Sequence, residues 1–195
     1  MVYTFVLLGA YLMGSIPMGL LLTWATGHGD LRKVGSGNIG ATNVLRVGGL
    51  RLAIIAWLLD MAKVVGAYFL GKYLLGDMWA AWCGAVALIG HCFPIWLKFK
   101  GGKGISCLFG LMLVANPLIF VFSGLEWLIV ALTCGYSSLA AIVTFTVTPI
   151  FAFVLNADIG WPFLAVAVLC LVRHHENIAR LINGTESKIG WKWKK

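Results

Sequence analysis

The sequence predicts an all-α integral membrane protein with seven transmembrane helices, the N-terminus outside, the C-terminus cytoplasmic, and one polytopic domain over residues 1–195. The first ground is composition. Hydrophobic residues make up 61% and charged residues 11% of the chain, with a mean hydropathy of +0.92, whereas a soluble domain is roughly 45–50% apolar. So few charges cannot coat a globule in water, which makes the bilayer the solvent. The second ground is that most of the chain divides into apolar runs of span length. The third is that its basic residues fall on one side of those runs.

A helix crosses roughly 30 Å of hydrocarbon with about 20 residues at about 1.5 Å each. Such runs lie near 2–26, 52–75, 79–97, 105–115, 117–134, 138–155 and 160–180. Gly14, Pro17 and Gly19 interrupt the first. It precedes every Lys and Arg, the earliest being Arg32, so it lacks a signal peptide's basic region and reads as a retained span. The fourth, ISCLFGLMLVA, stops early at Asn116 and Pro117, so six crossings is the alternative to seven. Lys and Arg favour cytoplasmic loops, and 13 of the 15 fit seven crossings. Arg32, Lys33, Arg46 and Arg51 lie between the first two runs, and Lys98, Lys100 and Lys103 between the third and fourth. Arg173, Arg180, Lys188, Lys192, Lys194 and Lys195 lie at or beyond the end of the last. Lys72 falls at an outer turn, and Lys63 inside the second run, three residues after Asp60. The cytoplasmic-face segments are then 27–51, 98–104, 135–138 and 173–195.

A net charge of +8 points to an anionic partner. Nucleic acid is not expected, because the cations sit in short loops between apolar runs. The five cysteines form no CxxC pair and lie mostly in apolar runs, which reads as reduced thiols and not as a metal or disulfide framework.

Three polar blocks carry the chemistry. The first, VGSGNIGATNVLR, contains Gly35, Gly37 and Gly40 in a GxGxxG pattern, but no strand precedes it and no βαβ unit fits. What remains is a phosphate-binding composition: glycines that let backbone N–H groups turn inward, donors at Ser36, Asn38, Thr42 and Asn43, and the guanidinium of Arg46. The second, GHCFPIWLKFKGGKGIS, has Leu97 where a Walker motif needs glycine, so nucleotide binding is not supported. Gly101, Gly102 and Gly104 permit close approach of an anion, with Lys103 as a mobile charge. His91 reads as a hydrogen-bonded residue at a helix end or as a base. The third, RHHENIARLINGTE, places Arg173, Asn177 and Arg180 on one stripe of a continuing helix, with His174 three residues before Asn177. Asp60 and Lys63 form an i,i+3 pair at membrane depth, a functional candidate unless it merely neutralises itself, and Glu126 stands in the fifth run. Ser137 and Ser138 put hydroxyls on the same face.

These blocks, in this order and spacing, together with LLDMAK in the second run and SLA at 138–140, resemble the bacterial acyl-phosphate:glycerol-3-phosphate acyltransferases, the PlsY family. The resemblance covers essentially the whole chain and implies seven spans in the bacterial inner membrane, with the active site facing the cytoplasm. It implies transfer of a fatty acyl group from a long-chain acyl phosphate to the 1-hydroxyl of glycerol 3-phosphate, giving lysophosphatidic acid and phosphate in phospholipid biosynthesis. Ser36, Thr42, Arg46, Lys103, Ser138, His174 and Asn177 match polar positions the family uses for substrate phosphates and catalysis. Gly37, Asn38 and Asn43 match its first block, and Gly101, Gly102 and Gly104 its glycine-rich loop. Arg46, Lys103, His174 and Asn177 are the expected catalytic set; His91, Asp60, Lys63 and Arg173 are further candidates. Neither cofactor nor metal is expected. Membrane lipid and the enzyme supplying acyl phosphate are the other expected partners. The chain departs from the family at Ile105, Ser106 and Cys107, where Val-Ala-Thr is commoner, and Glu126 has no counterpart.

Because acyl phosphate is already activated, the protein has chiefly to hold two phosphates in a cationic, N–H-rich pocket with a hydroxyl set against the carbonyl carbon. The favoured proton acceptor is a substrate phosphate oxygen, with His174 as the alternative. Competing chemistries lack their residues. The positions five after His28, His91, His174 and His175 are Lys33, Trp96, Ala179 and Arg180, so the His-Asp pair of acyl-CoA acyltransferases is missing. No Asp-Gly opens a CDP-alcohol phosphotransferase motif, and a transporter would place its polar residues at the midplane, often within a repeat.

Overall fold

The computed structural model describes residues 1–189; Lys192, Lys194 and Lys195 lie outside them. Nine α-helices and two short 3-10 turns, with no strand among the described residues, form the molecule: α1 (Val2–Ser15), α2 (Met18–Ala25), α3 (Ala41–Leu75), α4 (Asp77–Cys92), α5 (Ile105–Ala115), α6 (Pro117–Cys134), α7 (Ser137–Leu155), α8 (Ala157–Arg173) and α9 (His175–Ile182). Four helices are long and apolar enough to cross a membrane, and six if each of the bent pairs α1/α2 and α8/α9 is one span; α5 is a further apolar helix of 11 residues.

The break expected in the first run falls at Ile16 and Pro17, where the two helices bend by 40°. Proline has no N–H to continue the ladder, and at this break the Ile16 carbonyl accepts from Met18 N and from Lys63 Nζ, each at 3.0 Å. Two expected boundaries are corrected. The second span was expected from residue 52, but α3 starts at Ala41 and runs through a kink at Gly49, so half of the first polar block is helical. The last was expected as a continuous helix to 180, but it breaks at His174 with a bend of 56°. The cause is local: the His174 ring takes the Cys170 carbonyl at 2.7 Å, and the His174 N–H bonds Leu171 instead of its i−4 partner. Arg173 is thereby separated from the stripe of Asn177 and Arg180.

Without a hydrophobic force between helices in lipid, close packing of small residues carries association. Gly14 of α1 lies so near Ala87 of α4 that a Cβ would stand 1.8 Å from its carbonyl oxygen, and one on Gly110 of α5 would stand 2.6 Å from that of Met61 in α3. All five cysteines are free thiols, four of them buried. The chain after α9 folds back as a strap, with Ile189 buried against Ala131 and Ala140 and its N–H bonded to Gly135 O at 2.9 Å.

Candidate active site

The three polar blocks meet at one cleft of about 960 Å³, walled by residues from the first loop, α3, the 98–104 loop, α5, α6, the start of α7, α8, α9 and the strap. Ser36, Gly37, Asn38, Thr42, Asn43, Arg46, His91, Gly101, Lys103, Gly104, Ser138, Arg173, His174 and Asn177 all line it. Gly102, Asp60 and Lys63 do not line it.

The first loop is organised by Asn43. Its amide nitrogen donates to the carbonyls of Leu31, Val34 and Asn38 at 2.9–3.1 Å, and its oxygen accepts from Ser36 N at 2.9 Å. Gly35, at φ +60, permits this, since a Cβ there would stand 2.1 Å from the Asn43 oxygen. Asn43 is therefore corrected from phosphate ligand to keystone, its hydrogen-bonding capacity spent on the loop. Asn38 likewise spends its oxygen on Gly40 N at 2.8 Å. The loop delivers the N-terminus of α3, whose first-turn N–H groups suit an anion. Thr42 Oγ1 lies 3.0 Å from Ser137 Oγ, and Arg46 Nη2 donates to Ser187 Oγ at 3.1 Å, tying the loop to α7 and the strap.

The glycine-rich loop is corrected in the same sense. Gly101 and Gly102 donate their N–H groups to the carbonyls of Cys92 and His91 at 3.1 and 3.0 Å, so these amides are not offered to phosphate. A Cβ on Gly102 would stand 2.0 Å from His91 Nε2, which is why glycine is required. The loop thus presents Lys103, whose ammonium donates to Asn177 Oδ1. Arg173 Nη2 fixes the loop by donating to Gly101 O at 3.1 Å, with its guanidinium over the Phe93 ring.

Asn177 passes the contact on, its Nδ2 donating to Glu186 Oε1 at 2.7 Å. Glu186 also accepts from Ser138 Oγ at 2.8 Å and Arg180 Nε at 2.7 Å. Sequence reasoning quoted this glutamate inside the third block without assigning it to the site. Its signal was a carboxylate in a cation-rich tail, but nothing local says that the tail folds back. Burial pushes the Glu186 carboxyl up, but the donors Ser138, Arg180 and Asn177 outweigh burial and hold it below its ordinary 4.5. Desolvation, then the nearby Arg180 guanidinium, lowers Lys103 from the ordinary 10.5.

Six cationic side chains line the cleft against two carboxylates, Glu176 and Glu186, so it favours anions. Beyond the charged mouth the same cavity continues between Ala53, Ile54 and Trp57 of α3, Ile105 and Phe109 of α5, and Phe120, Gly124, Trp127 and Leu128 of α6. The α6 residues recur at helical spacing and make one apolar stripe. Phe109 meets Phe120 and Trp57 edge-on, each at 6.0 Å between ring centres. Glu126 stays off this wall, accepting from Thr144 at 2.8 Å.

Asp60, His91 and Cys107 bring potential metal-ligating atoms within 4.8 Å of one another. The place a cation would take is filled by Lys63 Nζ, 2.8 Å from Asp60 Oδ1 and 3.0 Å from His91 Nδ1.

A helical membrane protein holding a cation-lined cleft open to an apolar groove is the class that fold and site define. Its family follows from comparison: the sequence model described as glycerol-3-phosphate acyltransferase matches residues 4–184, and the chain belongs to that family. It is 47% identical to a glycerol-3-phosphate acyltransferase of Rhizobium etli over 183 residues, covering 93% of this chain and 89% of the relative. It is also 47% identical to one of Caulobacter vibrioides over 192 residues, covering 95% and 87%. The crystal structure of PlsY, an integral membrane glycerol 3-phosphate acyltransferase, in its glycerol 3-phosphate form is similar with a TM-score of 0.89 and 34% identity, covering 96% of this chain and 95% of that one. The lysophosphatidic acid form of PlsY gives a TM-score of 0.87 at 32% identity, covering 95% and 94%.

Proposed function

We propose that this chain transfers a fatty acyl group from a long-chain acyl phosphate to the sn-1 hydroxyl of glycerol 3-phosphate, releasing inorganic phosphate and lysophosphatidic acid. The observation that carries this reading is the continuity of a charged mouth with an apolar groove in one cavity of about 960 Å³. An amphiphilic donor fits such a cavity whole, with its chain in the groove and its phosphate at the mouth.

In this reading the glycerol hydroxyl oxygen attacks the acyl carbonyl carbon, the carbon–oxygen bond to phosphate breaks, and the leaving phosphate takes the bond electrons. Arg46, Lys103 and the N-terminus of α3 offset repulsion between the two anions and stabilise the leaving group. Ser36, Thr42 and Ser138 supply hydroxyls, and Asn177 orients the Lys103 ammonium. The hydroxyl proton passes to a phosphate oxygen of the substrate, with no acyl-enzyme. His174 is the other candidate base: its Nδ1–H donates to Cys170 O, which leaves the lone pair of a neutral ring on Nε2.

The same reading makes α5 the short fourth of seven crossings, puts the N-terminus outside, and opens the cleft to the cytoplasm of a bacterial inner membrane. It agrees with the positive-inside distribution of Lys and Arg and requires an enzyme that supplies acyl phosphate. The deciding experiment mixes purified protein with glycerol 3-phosphate and palmitoyl phosphate, without CoA or metal. Lysophosphatidic acid is the expected product; activity on palmitoyl-CoA alone overturns the donor assignment.

A further inference from the structure

Behind the glycine-rich loop lies a buried group that the mechanism above does not use. Asp60 and Lys63 of α3 and His91 of α4 have side chains 1%, 2% and 4% exposed. Lys63 Nζ makes three contacts: Asp60 Oδ1 at 2.8 Å, the Ile16 carbonyl at 3.0 Å and His91 Nδ1 at 3.0 Å. An ammonium has three hydrogens and no lone pair, so His91 Nδ1 accepts from it. In a neutral ring the proton must then sit on Nε2. Lys63, held by Asp60, acts as a lock on the tautomer, the reverse of that at His174.

Of the two ring nitrogens, Nδ1 is turned inward to Lys63, so Nε2 is the polar atom that His91, which lines the cleft, has left to offer. The residue over that nitrogen is Gly102, where even a Cβ would stand 2.0 Å from it. Glycine is the residue that can pack this closely on the ring, and Lys103, the next residue, lines the cleft together with His91. His91 Nε2 has no acceptor among the described residues, and it is not one of the fully buried side-chain atoms left without a partner, so it keeps access to the cleft that His91 lines.

We infer that His91 Nε2–H donates a hydrogen bond to a phosphate oxygen of a bound substrate or product, with Lys63 and Asp60 as positioning residues that fix its tautomer. The inference rests on the proposed phosphate chemistry of the cleft. The acceptor belongs either to glycerol 3-phosphate or to the phosphate that leaves the acyl donor.

Two variants separate donor from scaffold. His91→Asn keeps a polar group near the Nδ1 position for Lys63 but removes the Nε2 donor, and His91→Gln places an amide N–H near the Nε2 position. Each is purified and its Tm measured. Binding of inorganic phosphate and of glycerol 3-phosphate is measured by calorimetry, and kcat and KM for both substrates by product formation. For folded His91→Asn, phosphate affinity or kcat/KM is expected to fall on the order of 10- to 100-fold, the scale of a hydrogen bond to a charged group. His91→Gln is expected to recover at least half of that loss on a logarithmic scale. The ligand whose binding weakens identifies the phosphate. His91→Asn within twofold of the parent, or His91→Gln no better than His91→Asn, overturns the proposal. If His91→Asn does not fold, His91→Gln within threefold of the parent supports it, and folded His91→Gln with a larger loss overturns it. A parent that binds phosphate but forms no product from palmitoyl phosphate refutes the donor assignment and leaves the His91 comparison decisive.

Discussion

Ser138 Oγ donates to Glu186 Oε1 at 2.8 Å across a separation of 48 residues, tying the first turn of α7 to the strap that follows α9. Asn177 and Arg180 converge on the same carboxylate. Replacing Glu186 with Gln is expected to destabilise the protein by about 1–2 kcal/mol, the scale of charged hydrogen bonds discounted because Arg180 is 41% exposed. The carboxyl is held below its ordinary 4.5, so its contribution is complete above that pH and is lost as pH falls through the folded value. Thermal melts of parent and variant should therefore differ at neutral pH and converge below 4.5.

Lys103 gives the opposite limb. Desolvation and the neighbouring Arg180 lower its pKa from 10.5, so the free enzyme loses this cation as pH rises through a value below that. The kcat/KM for glycerol 3-phosphate should fall along an alkaline limb below 10.5. Lys103→Arg should abolish the limb, since guanidinium stays charged, but with activity lowered at every pH because a planar fork does not reproduce the ammonium's contact with Asn177. Initial rates between about pH 7 and 11 test both.

Chain length is the next readout. Phe109 and Phe120 meet edge-on at 6.0 Å within the apolar groove, and a Cβ on Gly124 would meet only Phe109, at 3.7 Å. Gly124→Leu should fold and narrow the groove. Its kcat/KM for palmitoyl phosphate should drop about tenfold relative to that for decanoyl phosphate, equivalent to losing burial of about two methylenes at about 0.8 kcal/mol each. An unchanged ratio would place the acyl chain elsewhere.

His174 separates the two proton paths. If a substrate phosphate takes the hydroxyl proton, His174→Ala should raise KM while kcat stays within about threefold of the parent. A loss of about 100-fold or more in kcat would instead assign His174 Nε2 as the base.

Much of this site was legible in the chain. The three blocks, SLA at 138–140 and the family resemblance they carry named 14 residues that share one cleft. Legibility stopped where the contact was long-range. Composition marks Asn43 as a donor, but only the folded loop reveals that its amide is spent on Leu31, Val34 and Asn38. Gly101 and Gly102 look like an anion nest, yet their N–H groups belong to the end of α4. The helix through Arg173 and Asn177 is continuous by periodicity and broken by one ring nitrogen on Cys170 O. Periodicity reports a segment's own ladder and not the side chain that competes for it.

The strap also bears on the order in which the enzyme is made. Its carboxylate follows every helix among the described residues, so α1 to α9 leave the ribosome before Glu186 can reach Ser138 and Asn177. Until then Arg180 has only Glu176 of α9, at 3.9 Å, as a carboxylate partner. The helices are thus made before the mouth of the cleft receives this carboxylate. Trimming just before residue 185 should leave a folded bundle that substrates cannot use, which makes the strap a final checkpoint between insertion and activity.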